Sequence, residues 1–250
     1  MDFKTKYLGK NFQHFKTIDS TQTYIKKLIH KKTAEIGTVV LADHQEIGKG
    51  TQGRIWFSLP KPQLMFSVLL KPSLAPQKLP MINILSGVLM ATVFEEMGVY
   101  AKVKWPNDVY IDNKKVGGIL SELVTEDGNT YIVLGVGMNV DASSTDFPKE
   151  IKTSATALSL YCTSVNRFEI LEKFLVKLET ALYLWTSEEL IAFTQKEFER
   201  LWIYRNKVIH IEQQSKKLHG TSTGIDTFGA LQLKTSSGIE KIISGSISVI

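Results

Sequence analysis

The chain has one cysteine in 250 residues, Cys162. A single thiol forms no internal disulfide framework and cannot build a multi-cysteine zinc site. A membrane-spanning run is also missing. The longest apolar stretch, MINILSGVLMATVFEEMGVY from Met81, is interrupted by Asn83 and Ser86 and ends in charge. The N-terminal MDFKTKYLGKNFQHF lacks the apolar core of a signal peptide. These absences predict a cytoplasmic protein with no membrane partner. Charge is not concentrated either. The formal net charge is +5, but the 30 basic residues are scattered, with lysine pairs only at 26–27, 31–32, 114–115 and 216–217. That pattern suits a solvated surface rather than a nucleic-acid footprint. Repeats and low-complexity linkers are lacking. What remains, 43% hydrophobic, 22% charged and 10% aromatic, is the composition of a globular protein with one large domain or a large and a small one.

The periodicities sort the chain into two textures. NFQHFKTI, TVVLADHQ and QLMFSVLLK read as strands, the last of a fully buried kind. Ser20 reads as the N-cap of a helix over TQTYIKKLIHKK. Residues 78–97 carry apolar positions at helical spacing. Short strands follow in AKVKW, DVYI, VGGILSELVTE and TYIVLGVGMNV, with turns at DNKK and EDGN. Leu171, Phe174, Leu175, Leu178, Ala181, Leu182 and Trp185 form the apolar stripe of a further helix. From about Lys207 only short strands and Gly/Ser turns remain, which predicts a small β-barrel. The expectation is an α+β fold. Residues 1–204 would form a largely antiparallel, helix-flanked domain, and 205–250 the barrel.

GKGTQGR, residues 48–54, spells G-x-G-x-x-G, the pattern that cradles a dinucleotide pyrophosphate. A strand does precede it. No helix can open from it, because Pro60 and Pro62 follow, and no carboxylate occurs in SVLLKPSLAPQK where a ribose partner belongs. Lys49 is followed by Gly50 rather than Ser or Thr, which excludes a P-loop. The glycines serve something else.

Four segments concentrate polar and glycine residues beside strands: DSTQ (19–22), QEIGKGTQGRIWFS (45–58), KWPNDVYIDNKKVGGILSE (104–122) and GVGMN (135–139). Singly, each has a plain structural explanation. DSTQ caps a helix, Gly117-Gly118 marks a bulge, Asn107-Asp108 makes a turn, and Trp56 and Trp105 fill a core. Together and in this order they resemble the catalytic domain of biotin protein ligases. That family shows a D-S-T-N-like start, a G-R-G-R-x-G-R-x-W-x-S loop, a K-W-P-N-D…K-x-x-G-I-L-x-E block and a G-x-N turn. FPKEIKTSATALSL and GTSTGIDTFGAL…GSIS extend the resemblance over residues 12–249.

The resemblance implies a class II synthetase-like core with a small SH3-like barrel, acting on biotin and ATP. Biotin would be activated as biotinyl-5'-AMP and passed to a lysine of a biotin carboxyl carrier protein or carboxylase domain. Two anions must meet in such a site, so it needs positive charge and bare backbone N–H donors. Ser20, Thr21, Gln22 and Gln45 would bind the biotin head, with Gln22 standing where Asn is usual, and Lys49, Gly50, Thr51 and Lys115 would complete that subsite. Gly48, Lys49, Gly53, Arg54, Trp56, Asn107, Asn139 and Lys216 would hold ATP and the adenylate. Lys115 and Arg54 would stabilise the reacting phosphate, and Asp108 would hold Mg²⁺ or take the proton of the incoming lysine. Thr51 replaces the second loop arginine and Lys49 the first. The chain's end at Ile250 leaves any further C-terminal contact to ATP open. A lipoate or octanoate ligase is the near alternative, but its R-R-x-S-G-G-G-x-V-like loop is absent. A biotin-responsive DNA-binding repressor is the alternative of another class. Too few residues precede DSTQ for a helix-turn-helix unit, so the sequence predicts a monofunctional enzyme without a nucleic-acid partner. A homodimer is compatible with it.

Overall fold

The computed structural model describes residues 1–71, 76–184, 187–213 and 216–249. Two sheets organise them. The larger has seven strands: β1 (Phe12–Ile18), β2 (Val39–Gln45), β3 (Leu64–Leu70), β4 (Lys102–Lys104), β5 (Asp108–Ile111), β6 (Lys114–Glu126) and β7 (Asn129–Met138). They run in the order β1-β2-β3-β7-β6-β5-β4, and every pairing but the parallel β1–β2 is antiparallel. The smaller sheet is antiparallel, with β8 (Val208–Gln213), β9 (Lys216–Ile225), β10 (Leu231–Thr235), β11 (Gly238–Ile242) and β12 (Ser246–Val249) in the order β11-β10-β9-β8-β12. The mixed α+β architecture is the one expected from the sequence. Among the described residues no helix is long and apolar enough to cross a membrane.

Alternation along the central strands places one apolar set on each face. Val39, Leu41, Leu64, Phe66, Val68, Leu134 and Val136 join the large core beneath α2 (Leu79–Glu95) and α3 (Arg167–Tyr183). Val40, Leu69 and Val133 point the other way and pack with Ile25 and Ile29 of α1 (Thr21–His30). Helix α2 is apolar on nearly every side, which fits its place between the sheet, α3 and α4 (Glu188–Leu201). The sequence reading did not anticipate α4. Its signals are present in the chain: Ser187 caps Leu190 N–H, two glutamates open the first turn, and Leu190, Thr194, Phe198 and Leu201 are buried. Trp185, placed on the stripe of α3, lies outside the described residues, whereas the other stripe positions are buried or partly buried.

The N-terminal segment is tied down by one carboxylate. Glu179 accepts from the backbone N–H groups of Lys6, Tyr7 and Leu8 at 2.6, 2.9 and 2.9 Å. Burial opposes its ionisation, but the three donors outweigh it and hold its carboxyl below the ordinary glutamate value. Glu179→Ala is expected to cost roughly 3 kcal/mol, because three N–H groups lose a charged acceptor. A depressed carboxylate contributes stability above its unfolded-chain pKa and loses it as pH falls through the folded-state value. Urea unfolding at neutral and acidic pH checks this. The gap between wild type and variant should narrow on acidification, and a gap that widens would contradict it.

Candidate functional site

The site lies on the α1 face of the large sheet, beyond the end of the helix. The register puts Ser67, Gly135 and Leu120 in one cross-strand row, and Met65, Gly137 and Gly118 in the next. Glycines therefore stand where the sheet would otherwise raise side chains, leaving a floor of bare backbone. An ideal Cβ at Gly137 would fall 2.7 Å from Cε2 of Trp56, and one at Gly135 would fall 2.6 Å from Nε2 of Gln22. Both glycines make room for a neighbouring side chain.

Two cavities adjoin here, and the first opens above this floor. The first is lined by Ser20, Thr21, Gln22, Gln45 and Ser67 at one end and by Lys49, Gly50, Thr51, Trp56, Asn107 and Lys115 at the other. The second, which is larger, shares Gly50, Thr51, Trp56, Asn107 and Lys115 with the first. It adds Arg54, Asp108 and Asn139, apolar groups such as Ile55 and Leu59, and Gly245, Ser246 and Ile247 of the small sheet. The Trp56 indole and the Lys115 ammonium sit at the shared wall, with Nζ 5.9 Å from the ring centroid.

DSTQ does more than start a helix. Ser20 has the extended backbone of an N-cap, yet its side chain makes no capping hydrogen bond and its buried hydroxyl has no partner. Asp19 holds the turn instead, accepting from Ser20 N–H at 2.7 Å and from Lys27 at 2.9 Å. The Lys27 hydrogen bond holds the Asp19 carboxyl below its usual range. Thr21 donates its backbone N–H to Gln45 Oε1 at 2.8 Å, and its hydroxyl lies 2.8 Å from that of Ser67. Ser67 escaped the sequence reading, although a lone serine inside the apolar run LMFSVLL was a usable signal.

The glycine loop is a small hairpin. Gly50 N–H donates to Arg54 C=O at 2.7 Å, and Trp56 N–H donates to Gly48 C=O at 3.0 Å. Gly48 packs against the Trp56 carbonyl where a Cβ would collide, and Gly53 adopts φ +74°. Those two glycines shape the loop and line neither cavity, whereas Gly50 lines both. Arg54 is exposed and turned onto its own loop, donating to Thr51 C=O at 3.3 Å and to Gln52 Oε1 at 3.0 Å.

Lys115 reaches the cavity because β6 is bulged. Asp108 opposes Gly118 and Val109 opposes Gly117, but Tyr110 opposes Lys115, so Val116 is the extra residue. The bulge returns Lys115 to the face that carries Asp108. Its Nζ then lies 2.7 Å from Asp108 Oδ1, with the lysine side chain one-third exposed. Its backbone is pinned on the far side: the N–H donates to Ser154 C=O at 2.7 Å, and the C=O accepts from Thr156 N–H at 2.9 Å. It is no solvated turn lysine. Asn107 and Asn139 are braces as well as lining residues, donating to Ile119 C=O at 2.7 Å and Thr156 C=O at 3.0 Å. Burial, reinforced by the Asp108 charge, raises the pKa of Tyr110, so its phenol stays protonated in the second cavity. Lys216 begins β9, but its side chain lies outside the described residues.

Similarity to characterised proteins converges on this geometry. Residues 14–139 match the biotin/lipoate A/B protein ligase family, and residues 206–249 match the C-terminal domain of biotin protein ligases. The chain belongs to the biotin protein ligase family. It is 32% identical to the bifunctional ligase/repressor BirA of Bacillus subtilis in an alignment covering 98% of this chain and 76% of that protein. A biotin--[acetyl-CoA-carboxylase] ligase of Mycobacterium tuberculosis is 32% identical over 60% of this chain and 55% of its own. The biotin protein ligase of Aquifex aeolicus, solved in complex with biotin and ATP, superposes with a TM-score of 0.82 at 30% identity, covering 96% of this chain and 99% of that one. In this biotin protein ligase, all four segments singled out in the sequence meet at the two cavities.

Proposed function

We propose that the two cavities bind biotin and ATP end to end, and that Lys115 stands where the biotin carboxylate meets the α-phosphate. The observation that carries this reading is the shared wall: a cation, held 2.7 Å from the Asp108 carboxylate, borders both compartments. The closed end at Ser20, Thr21, Gln22 and Gln45 receives the bicyclic head of biotin. Its carboxylate then points toward Lys49, Gly50, Thr51 and Lys115. The nucleotide lies in the larger cavity beside Trp56, Asn107, Asn139 and Arg54.

In the first half-reaction a carboxylate oxygen forms a bond to the α-phosphorus and pyrophosphate leaves. Negative charge grows on the phosphate oxygens in a site partly closed to water. There a fixed ammonium and loop N–H donors act most strongly. In the second, a carrier lysine attacks the biotinyl carbonyl, AMP leaves, and Asp108 takes the ammonium proton. Among the described residues Asp108 is the one carboxylate lining either cavity, and no group of three metal-type ligands occurs. That donor set suits Mg²⁺ brought in with the triphosphate, since Mg²⁺ is often held by one or two carboxylates plus substrate phosphates. The metal would neutralise phosphate charge.

The acceptor we assign is a biotin carboxyl carrier domain, met in the cytoplasm. Residues 1–204 act as the catalytic unit and 205–250 as the unit that closes the nucleotide side. Purified protein with ATP, Mg²⁺, labelled biotin and an acceptor domain tests this. Label should reach the acceptor lysine despite excess lipoate. Transfer of lipoate instead would end the reading. With its lysines scattered, the protein is expected to show no tight, salt-resistant DNA binding with or without biotin and ATP, as a gel shift at physiological salt would reveal.

A further inference from the structure

His210 of β8 and His219 of β9 stand directly opposite each other in the small sheet. Side chains alternate between the faces of a strand. Ile209 and Ile211 are buried, whereas both histidines are exposed, so the two imidazoles rise together from the solvent face. Their ring centres are 6.1 Å apart and their planes tilted by 39°. The next pair on that face is Glu212 and Lys217, joined at 3.3 Å, and Ser248 of β12 opposes His210 from the other side. Among the described residues neither imidazole has a hydrogen-bond or ion-pair partner. His14 and His30, in contrast, each lie 2.6 Å from a carboxylate, of Asp43 and Glu126. Neither His210 nor His219 lines either cavity, so the pair stands apart from the ligase site.

We propose that His210 and His219 form a chelating site for a divalent transition-metal ion of the Cu²⁺, Ni²⁺ or Zn²⁺ kind. Neutral imidazole nitrogens suit these ions. With metal–nitrogen bonds of about 2.0–2.1 Å, a tetrahedral ion holds two imidazole centres roughly 5 Å apart. Directly opposed residues already have Cβ atoms about 4.5–5.5 Å apart, so side-chain rotation closes the remaining gap without moving the backbone. Two protein ligands leave the rest of the shell to water. Glu212 adds an oxygen if it releases Lys217, a weak hold between side chains 66% and 82% exposed. Mg²⁺ prefers oxygen donors and keeps its waters, so the ion that accompanies a nucleotide does not compete here. A bound ion cross-links β8 to β9. It thereby stiffens the sheet whose β12, paired with β8, brings Ser246 and Ile247 to the second cavity.

The test is calorimetric titration of the tag-free, full-length protein with Cu²⁺ in the presence of Mg²⁺. Wild type, His210→Gln, His219→Gln and, as a control, His44→Gln are compared. Wild-type protein should bind one ion at this pair. Each of the two pair variants should bind it on the order of 100-fold more weakly, because a chelate holds its second ligand at high effective concentration. His44→Gln should bind as wild type does. Zn²⁺ should raise the unfolding temperature of wild type and of His44→Gln, and of neither pair variant, since an ion that binds only the folded site stabilises it. Should a pair variant fail to fold, NMR of the wild type carries the test: paramagnetic Cu²⁺ should broaden the His210 and His219 ring signals before those of His14, His30 and His44. Wild-type affinity retained in both pair variants overturns the assignment. So does broadening that starts at another histidine, or a wild-type protein that binds no Cu²⁺.

Discussion

Lys115→Ala is expected to lower the rate of adenylate formation by about 100-fold while leaving the fold intact. Removing one preorganised donor aimed at developing charge commonly costs on the order of 3 kcal/mol. The geometry explains why no neighbour takes over. The bulge at Val116 and the backbone bonds to Ser154 and Thr156 fix the Lys115 backbone, and Asp108 and Trp56 bracket its side chain. Arg54 is engaged with its own loop and lines only the second cavity. The loss should fall mainly on kcat, with a smaller rise in the KM for biotin, whose carboxylate also faces Lys115 while the Ser20–Gln45 end is untouched. Single-turnover release of pyrophosphate is the measurement. Near-normal turnover at saturating biotin and ATP would reduce Lys115 to a structural partner of Asp108.

Thr51→Arg is expected to slow escape of biotinyl-AMP by roughly ten- to a hundredfold, the worth of one charged hydrogen bond. Thr51 lines both cavities, so the residue here faces the intermediate on either side of its anhydride. Threonine offers one hydroxyl, whereas an arginine offers a planar fork of donors suited to phosphate. Lys49, Lys115 and the backbone N–H groups remain, so the rate of formation should change less than the rate of release. Labelled biotinyl-AMP, preformed on each protein and chased with unlabelled biotin and ATP, gives both off-rates. Equal values would mean that Thr51 leaves nothing missing.

The strands, the first three helices and the all-β texture of the C-terminal part were legible because each has a clean local period. Helix α4 was not anticipated, since its buried positions are diluted by charge and one of them is a threonine. The four segments of the site were legible as compositions, not as geometry. That Gly118, Gly135 and Gly137 share a floor follows from cross-strand register, which no single segment contains. Lys115 faces Asp108 only because one residue is extra in β6, and a run of KKVGG does not say where the bulge falls. Gly48 and Gly53 read as phosphate-cradle glycines, yet their backbone serves the hairpin, and of the three loop glycines only Gly50 reaches the cavities. Ser20 read as a cap and, by resemblance, as a biotin contact; Asp19 supplies the turn's hydrogen bond, and the buried Ser20 hydroxyl has no partner.

The most direct test of the central claim is a single incubation without any acceptor protein: enzyme, ATP, Mg²⁺ and equal amounts of biotin and lipoate, with the bound nucleotide identified by mass spectrometry. The account predicts one biotinyl-AMP per enzyme, a matching amount of pyrophosphate, and no lipoyl-AMP. Lipoyl-AMP in place of biotinyl-AMP, or ATP left intact in the presence of biotin, would contradict it.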